Sequence, residues 1–186
     1  MDAAIDWLRK KGLSQAAKKS GRVAAEGLVF ASTNQNGKSG VVVEVNSETD
    51  FVSLNEVFQK LVSKVSNISL TCNSLDELKN YSAGENKTIE QDVIEHVAVI
   101  GENLHLRRME VLEVSQGVVV PYIHNVVTGN MGKIAVLVAL ESNSSETDKL
   151  KNLAKQIAMH VAAARPMSLR VEDLNKEFLD NERDIF

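Results

Sequence analysis

The tetrapeptide Ser-Glu-Thr-Asp occurs twice, at 47–50 and at 145–148, each time between a β-rich run and a helical one. The first unit runs from Val41 to Val65 and the second from Ile134 to Val161. A β-rich run followed by apolar residues at helical spacing defines a strand leading into an amphipathic helix. Ser, Thr and Asp ahead of a helix can accept hydrogen bonds from its free N–H groups, and acids there face the positive end of the dipole. The repeated order predicts an α+β chain of two similar small subdomains. Each is an antiparallel sheet with helices packed on one face, and short N-terminal helices precede them.

The other elements fit this plan. Ala3 to Lys11 and Ser14 to Lys19 read as two short helices broken at Gly12. Glu26 to Ser32 and Ser39 to Val45 are strands on either side of Asn36-Gly37, a strong hairpin signal. Leu54, Val57, Phe58, Leu61, Val62 and Val65 mark the amphipathic helix that follows. Leu75 to Tyr81 and Thr88 to Val99 are two further helices, and Leu104 to Val114 is a strand. Gly117 to His124 and Met131 to Leu140 are strands joined around Gly129. Glu146 to Ala163 is a long helix, and a highly charged one begins at Val171, after Pro166.

Composition removes several function classes. No apolar run approaches the ~20 residues that span a bilayer. The N-terminus lacks a basic segment followed by an apolar one, so no secretory signal is expected. Cys72 is the single cysteine, which excludes an internal disulfide and fits a reducing, cytoplasmic setting. From Trp7 to Ala25 the chain holds six basic residues and no acid, whereas the part from Val23 onward carries 15 basic and 23 acidic residues. The basic opening could serve as a nucleic-acid arm, but no aromatics interleave its charges and the body is acidic. A solvated helix face is the preferred reading, and no direct nucleic-acid contact is expected.

Catalytic signals are equally thin. Gly37-Lys38-Ser39 resembles the tail of a phosphate loop, yet Ser32 stands where the first glycine belongs and a β-rich run follows. His96, His105, His124 and His160 share no metal-ligand spacing with one another or with Cys72. Nothing assembles a nucleophile, a base and an oxyanion site, so no catalytic residue, metal or cofactor is expected.

The richest stretch is Glu44-Val45-Asn46-Ser47-Glu48-Thr49-Asp50-Phe51-Val52. The second copy carries Lys149 where the first has Phe51. Phe51 has two readings: an anchor at a strand-helix corner, free to enter a partner's pocket, or a core residue beside Leu54, Phe58 and Leu61, with Asp50 a plain cap. Periodicity alone favours the core.

This stretch resembles the central signature of the elongation factor Ts family, Glu-Val-Asn-x-Glu/Gln-Thr-Asp-Phe-Val. Ala4 to Lys10 with Ala16 to Lys19 and Arg22 to Gly27, Ile100-Gly101-Glu102-Asn103 with Arg107-Arg108, and Gln156 to Ala163 resemble further family segments in the same order. Leu54 departs from the family, which usually has a small or basic residue there. The resemblance implies a guanine-nucleotide exchange factor, not an enzyme, acting in translation on elongation factor Tu in its GDP-bound and nucleotide-free forms. Carried over by position, Thr49, Asp50, Phe51 and Val52 form a wedge that disturbs the partner's Mg²⁺ and phosphate region. Ile100 and Gly101 lie beside the wedge, and His124 contacts another domain of the partner.

The same resemblance implies a fragment. Residues 1–24 match the end of an N-terminal helical domain and a linker, and 25–115 a first core subdomain. Residues 116–170 match most of a second, and 171–186 the start of a coiled-coil or dimerisation helix. An unpaired sheet edge in the incomplete second subdomain would invite association between copies. Two rivals stand beside this reading: an RNA- or ribosome-binding module using Lys10, Lys11, Lys18 and Lys19, and a small enzyme with a site at His124 near Tyr122 and Asn125.

Overall fold

Asn36-Gly37 sits in the turn between strands β1 (Glu26–Thr33) and β2 (Ser39–Ser47), which pair antiparallel from Glu26↔Ser47 to Thr33↔Gly40. The Asn34 side chain accepts from the Lys38 and Ser39 N–H groups at 3.2 and 3.3 Å, and Asn36 accepts from the Lys38 N–H two residues on at 2.8 Å, an Asx turn that fixes the loop. The computed structural model describes residues 12–84 and 86–185. The expected Ala3–Lys11 helix, with Lys10 and Lys11, lies outside the described residues. Residues 12–19 form a helix (α1), which includes Gly12.

The architecture is α+β with antiparallel strands and packed helices, as expected. β5 (His105–Glu113) pairs with β2, while β6 (Gly117–Thr128) and β7 (Met131–Glu141) form a long hairpin. The two strand groups meet where β7 pairs with β1 through Val29↔Gly132 and Phe30↔Met131. One sheet of five strands results, in the order β5-β2-β1-β7-β6. The start of β6 also closes on the β1–β2 hairpin, its Val119 N–H donating to the Gly37 carbonyl at 2.8 Å. Gly40 makes that approach possible: a Cβ there would lie 2.9 Å from both the Leu137 Cδ1 and the Val119 Cγ1.

Strand alternation sorts the side chains. Leu28, Phe30, Val41, Val43, Val45, Leu106 and Met109 join the main core. Phe58, Leu61, Val62 and Val65 of α2 (Glu56–Ser69) meet them there, with Val93 and Val97 of α4 (Ile89–Ile100). Leu78 of the short α3 (Leu75–Asn80) completes this layer. α5 (Thr147–Ala164) rests on β6 and β7 through Ala154, Ala158 and Ala162, whose small side chains let the helix approach closely.

Several local features differ from the sequence reading. The amphipathic helix does not begin at Leu54: residues Asp50–Leu54 form a 3-10 turn, and α2 starts after Asn55, whose side chain caps the Val57 and Phe58 N–H groups. Neither Ser-Glu-Thr-Asp copy caps its helix with a side chain. A short hairpin, β3 (Ser82–Gly84) with β4 (Lys87–Thr88), precedes α4 and has no clear sequence signal. The charged C-terminal segment is not one helix from Val171. A 3-10 turn at Val171–Asp173 is followed by extended Leu174, and α6 (Lys176–Ile185) starts where the Asn175 side chain accepts from the Glu177 N–H at 2.9 Å.

Candidate interaction corner

The corner at 47–55 is built from side chains spent on holding the backbone. Ser47 Oγ donates to the Thr49 carbonyl at 2.9 Å. Thr49 turns to Glu102, whose carboxylate takes its hydroxyl at 2.6 Å and its backbone N–H at 2.9 Å. The neighbouring Glu48 carboxylate accepts from the Asn103 N–H at 2.6 Å and pairs with Arg22 at 3.5 Å. The loop after β2 is thus stitched to the loop after α4. Charge-assisted bonds of this kind are the stronger class, each contributing roughly 1.5–3 kcal/mol.

The base of the 3-10 turn is held as firmly. Ser53, fully buried, donates to the Gly27 carbonyl at 2.9 Å, while its own carbonyl accepts from Gln59 Nε2 at 2.9 Å. Lys133 of β7 reaches across with its ammonium 2.8 Å from Ser53 Oγ, 3.1 Å from the Gly27 carbonyl and 3.6 Å from Glu26. Gly27 has φ +126°, and a Cβ there would lie 2.2 Å from the Val45 carbonyl oxygen, so only glycine fits this seat.

On this fixed base the apolar residues divide. Val52 is buried, whereas Phe51 is 79% exposed and Leu54 71%. A 3-10 helix has three residues per turn, so side chains at i and i+3 eclipse and Phe51 and Leu54 point the same way. The helical spacing that grouped Leu54 and Val57 with Phe58 on the core face therefore fails at its first two members. Leaving a phenylalanine in water forgoes about 1.5–3 kcal/mol that burial would contribute. Asp50 is exposed beside it.

The second half of the corner comes from the end of α4. Gly101 caps the helix in the left-handed region at φ 88°, its N–H donating to the Val97 carbonyl. Lys19 donates to the Gly101 carbonyl at 2.5 Å, a cation at the negative end of the dipole. Ile100 is half-buried against the core. Asn103 is buried, and its Nδ2 donates to the Arg22 carbonyl at 2.7 Å, tying the segment after α1 to the same place.

α4 is fixed to α2 by a buried charge. Asp92 pairs with Lys64 at 2.6 Å and with Lys87 at 2.9 Å, and Lys87 also meets Glu95 at 3.0 Å. Burial alone would raise the Asp92 pKa, but hydrogen bonds from Lys64 and Lys87 outweigh it and hold the carboxyl below its ordinary value. The bond to Asp92 raises Lys87, against its own desolvation.

The structure thus gathers Thr49, Asp50, Phe51 and Val52 with Ile100 and Gly101 at one corner, joined through Glu102. His124 stands apart on edge strand β6, exposed, its Nδ1 3.1 Å from the Tyr122 hydroxyl. It is opposite Ile134, the residue after Lys133, so the β6–β7 hairpin connects its position to the corner. Cys72 is buried, and that burial raises its thiol pKa, which makes it a poor nucleophile.

The comparisons with known proteins cover most or all of the chain, this corner included. The family model described as Elongation factor TS matches residues 48–186, beginning one residue before Thr49. The chain belongs to the elongation factor Ts family. Among curated relatives, elongation factor Ts of Rickettsia bellii (strain OSU 85-389) is 51% identical over 186 residues, covering 100% of this chain and 60% of the relative. That of Rickettsia rickettsii (strain Sheila Smith) is 51% identical over 185 residues, covering 100% and 59%. That of Rickettsia felis (strain ATCC VR-1525 / URRWXCal2) is 50% identical, again over 185 residues, 100% and 59%. The chain therefore spans about 60% of the length of the elongation factor Ts proteins it matches. No helix among the described residues is long and apolar enough to cross a membrane.

Sequence reasoning missed the residues that hold the corner: Glu48, Ser53, Asn55, Glu102, Asn103 and Lys133. Glu48, Glu102 and Asn103 lie inside the quoted family motifs, so a signal existed without a role attached. Lys133 carried none, because its partners are over 70 positions away.

Proposed function

We propose that this chain is a guanine-nucleotide exchange factor of the cytoplasm that binds elongation factor Tu in its GDP form and promotes GDP release. It works by contact and has no catalytic site of its own. One observation carries the reading: Phe51 stands 79% exposed on a corner whose backbone is fixed from several sides.

An exposed aromatic on a fixed backbone has only its two side-chain torsions to order on binding, so much of its burial against a partner counts toward affinity. Asp50, exposed next to it, supplies an acceptor for N–H groups on the partner. Ile100 and Gly101 flank the pair, and His124 on β6 provides a second contact to another domain of the GTPase.

The mechanism is linkage. A factor that binds the nucleotide-free GTPase more tightly than the GDP form must weaken GDP by the same free energy. No proton transfer is required, only contacts that differ between the two states. Phe51 entering near the Mg²⁺ and phosphate region supplies that difference.

The test is a dose series of this chain against elongation factor Tu loaded with fluorescent GDP, followed by nucleotide release. A rate that climbs with chain concentration supports the reading. A rate equal to spontaneous release at every dose would contradict it.

A further inference from the structure

We propose that Leu54 and Val57 extend Phe51 into one apolar ridge, and that this ridge seats in an apolar cleft of the partner GTPase with a basic or N–H-lined rim. The proposal rests on the exchange-factor reading and names the surface that would give it specificity.

The ridge follows from the local geometry. Phe51 and Leu54 are eclipsed in the 3-10 turn. Asn55 then interrupts the helical path with extended φ −76° and ψ 124°, and α2 restarts at Glu56. That interruption leaves Val57 in the first turn of α2, 40% exposed, while Phe58 beside it goes fully into the core. Three large apolar side chains at three-residue intervals thus face solvent above a buried base of Val52 and Ser53.

Three exposed apolar side chains this close together in sequence suit a concave partner surface. Asp50 precedes Phe51, and exposed Glu56 sits between Leu54 and Val57, so acids border the apolar side chains. Glu56 pairs with Lys60 at a weak 3.9 Å with both side chains largely in solvent, so a partner can compete for it. Acids at the rim of an apolar centre match a cleft bordered by cations or backbone donors.

The experiment measures binding of the nucleotide-free elongation factor Tu to the chain and its variants Phe51→Ala, Leu54→Ala, Leu54→Lys and Val57→Ala, with a thermal unfolding curve for each. Leu54→Ala should weaken binding about tenfold, and Leu54→Lys more, with the melting temperature unchanged in both. Val57→Ala should give a smaller loss in the same direction. Loss with Phe51→Ala but binding within about twofold of the parent for Leu54→Ala and Leu54→Lys would overturn the ridge and leave the exchange-factor reading standing. No effect from any variant, Phe51→Ala included, would overturn both.

Discussion

Glu102 holds Thr49 with both carboxylate oxygens, one taking the hydroxyl at 2.6 Å and the other the backbone N–H at 2.9 Å. Glu102, inside the Ile100–Asn103 motif, thereby fixes Thr49 of the exposed corner, 53 positions away. A threonine followed by aspartate and phenylalanine is a flexible corner on its own. Clamped by Glu102 it becomes a defined one.

Glu102→Ala should reduce nucleotide exchange although it removes no exposed apolar group. It should also lower stability by about 1–3 kcal/mol, since two donors lose a charged acceptor. A double-mutant cycle with Thr49→Val, read by chemical denaturation, should show coupling for the hydroxyl bond alone. Purely additive losses would mean that the bond contributes little.

Lys133→Met should loosen the base of the corner from the side of β7. The change keeps the stem and removes three ammonium contacts with Ser53, Gly27 and Glu26. The stability loss should be about 1–2 kcal/mol, because the side chain is a third exposed and its charge partly screened. Hydrogen exchange at the Val52 and Ser53 amides should rise more than at the α5 amides. Equal rises in both places would argue for a global effect instead.

Phe58→Ala and Phe51→Ala should separate fold from function. Phe58 is fully buried, and its loss should destabilise the chain by about 3–5 kcal/mol. Phe51→Ala should stay within roughly 0.5 kcal/mol of the parent, as exposed substitutions do. Guanidinium melts of the two variants check this contrast directly.

Asp92 should shape the acid limb of the stability curve. Its folded pKa lies below the unfolded value, so its contribution is present above the unfolded pKa and disappears as pH falls through the folded one. Lys87 is raised, so its share is complete below its unfolded pKa and is lost as pH climbs through the folded value. Asp92→Asn should cost about 3 kcal/mol at neutral pH by leaving two lysines without their buried partner, and it should flatten the loss of stability between neutral and acid pH. Urea melts across the acid range would show an unchanged slope if the cluster were unimportant.

Much of the fold was legible because its elements are long and strongly periodic. The Asn36-Gly37 hairpin, α2 from Phe58 to Val65, α4 and α5 all follow from local pattern. The 3-10 turn was not legible, since over five residues its period blends into that of the helix behind it. That ambiguity let Leu54 and Val57 read as core. The joining of β1 to β7 rests on two residue pairs about 100 positions apart, which no local pattern encodes. The corner was visible as a motif, and spacing alone favoured the core for Phe51. Its exposure depends on Asn55 breaking the helix and on Ser53, rather than Phe51, filling the space above Gly27.

The most direct test measures the GDP affinity of elongation factor Tu at saturating concentrations of the parent chain and of Phe51→Ala. With the parent, GDP affinity should fall by the same factor by which GDP weakens binding of the chain, and with Phe51→Ala most of that factor should vanish while the melting temperature holds. A parent chain that leaves GDP affinity unchanged, or an alanine variant that lowers it as far as the parent does, would contradict the account.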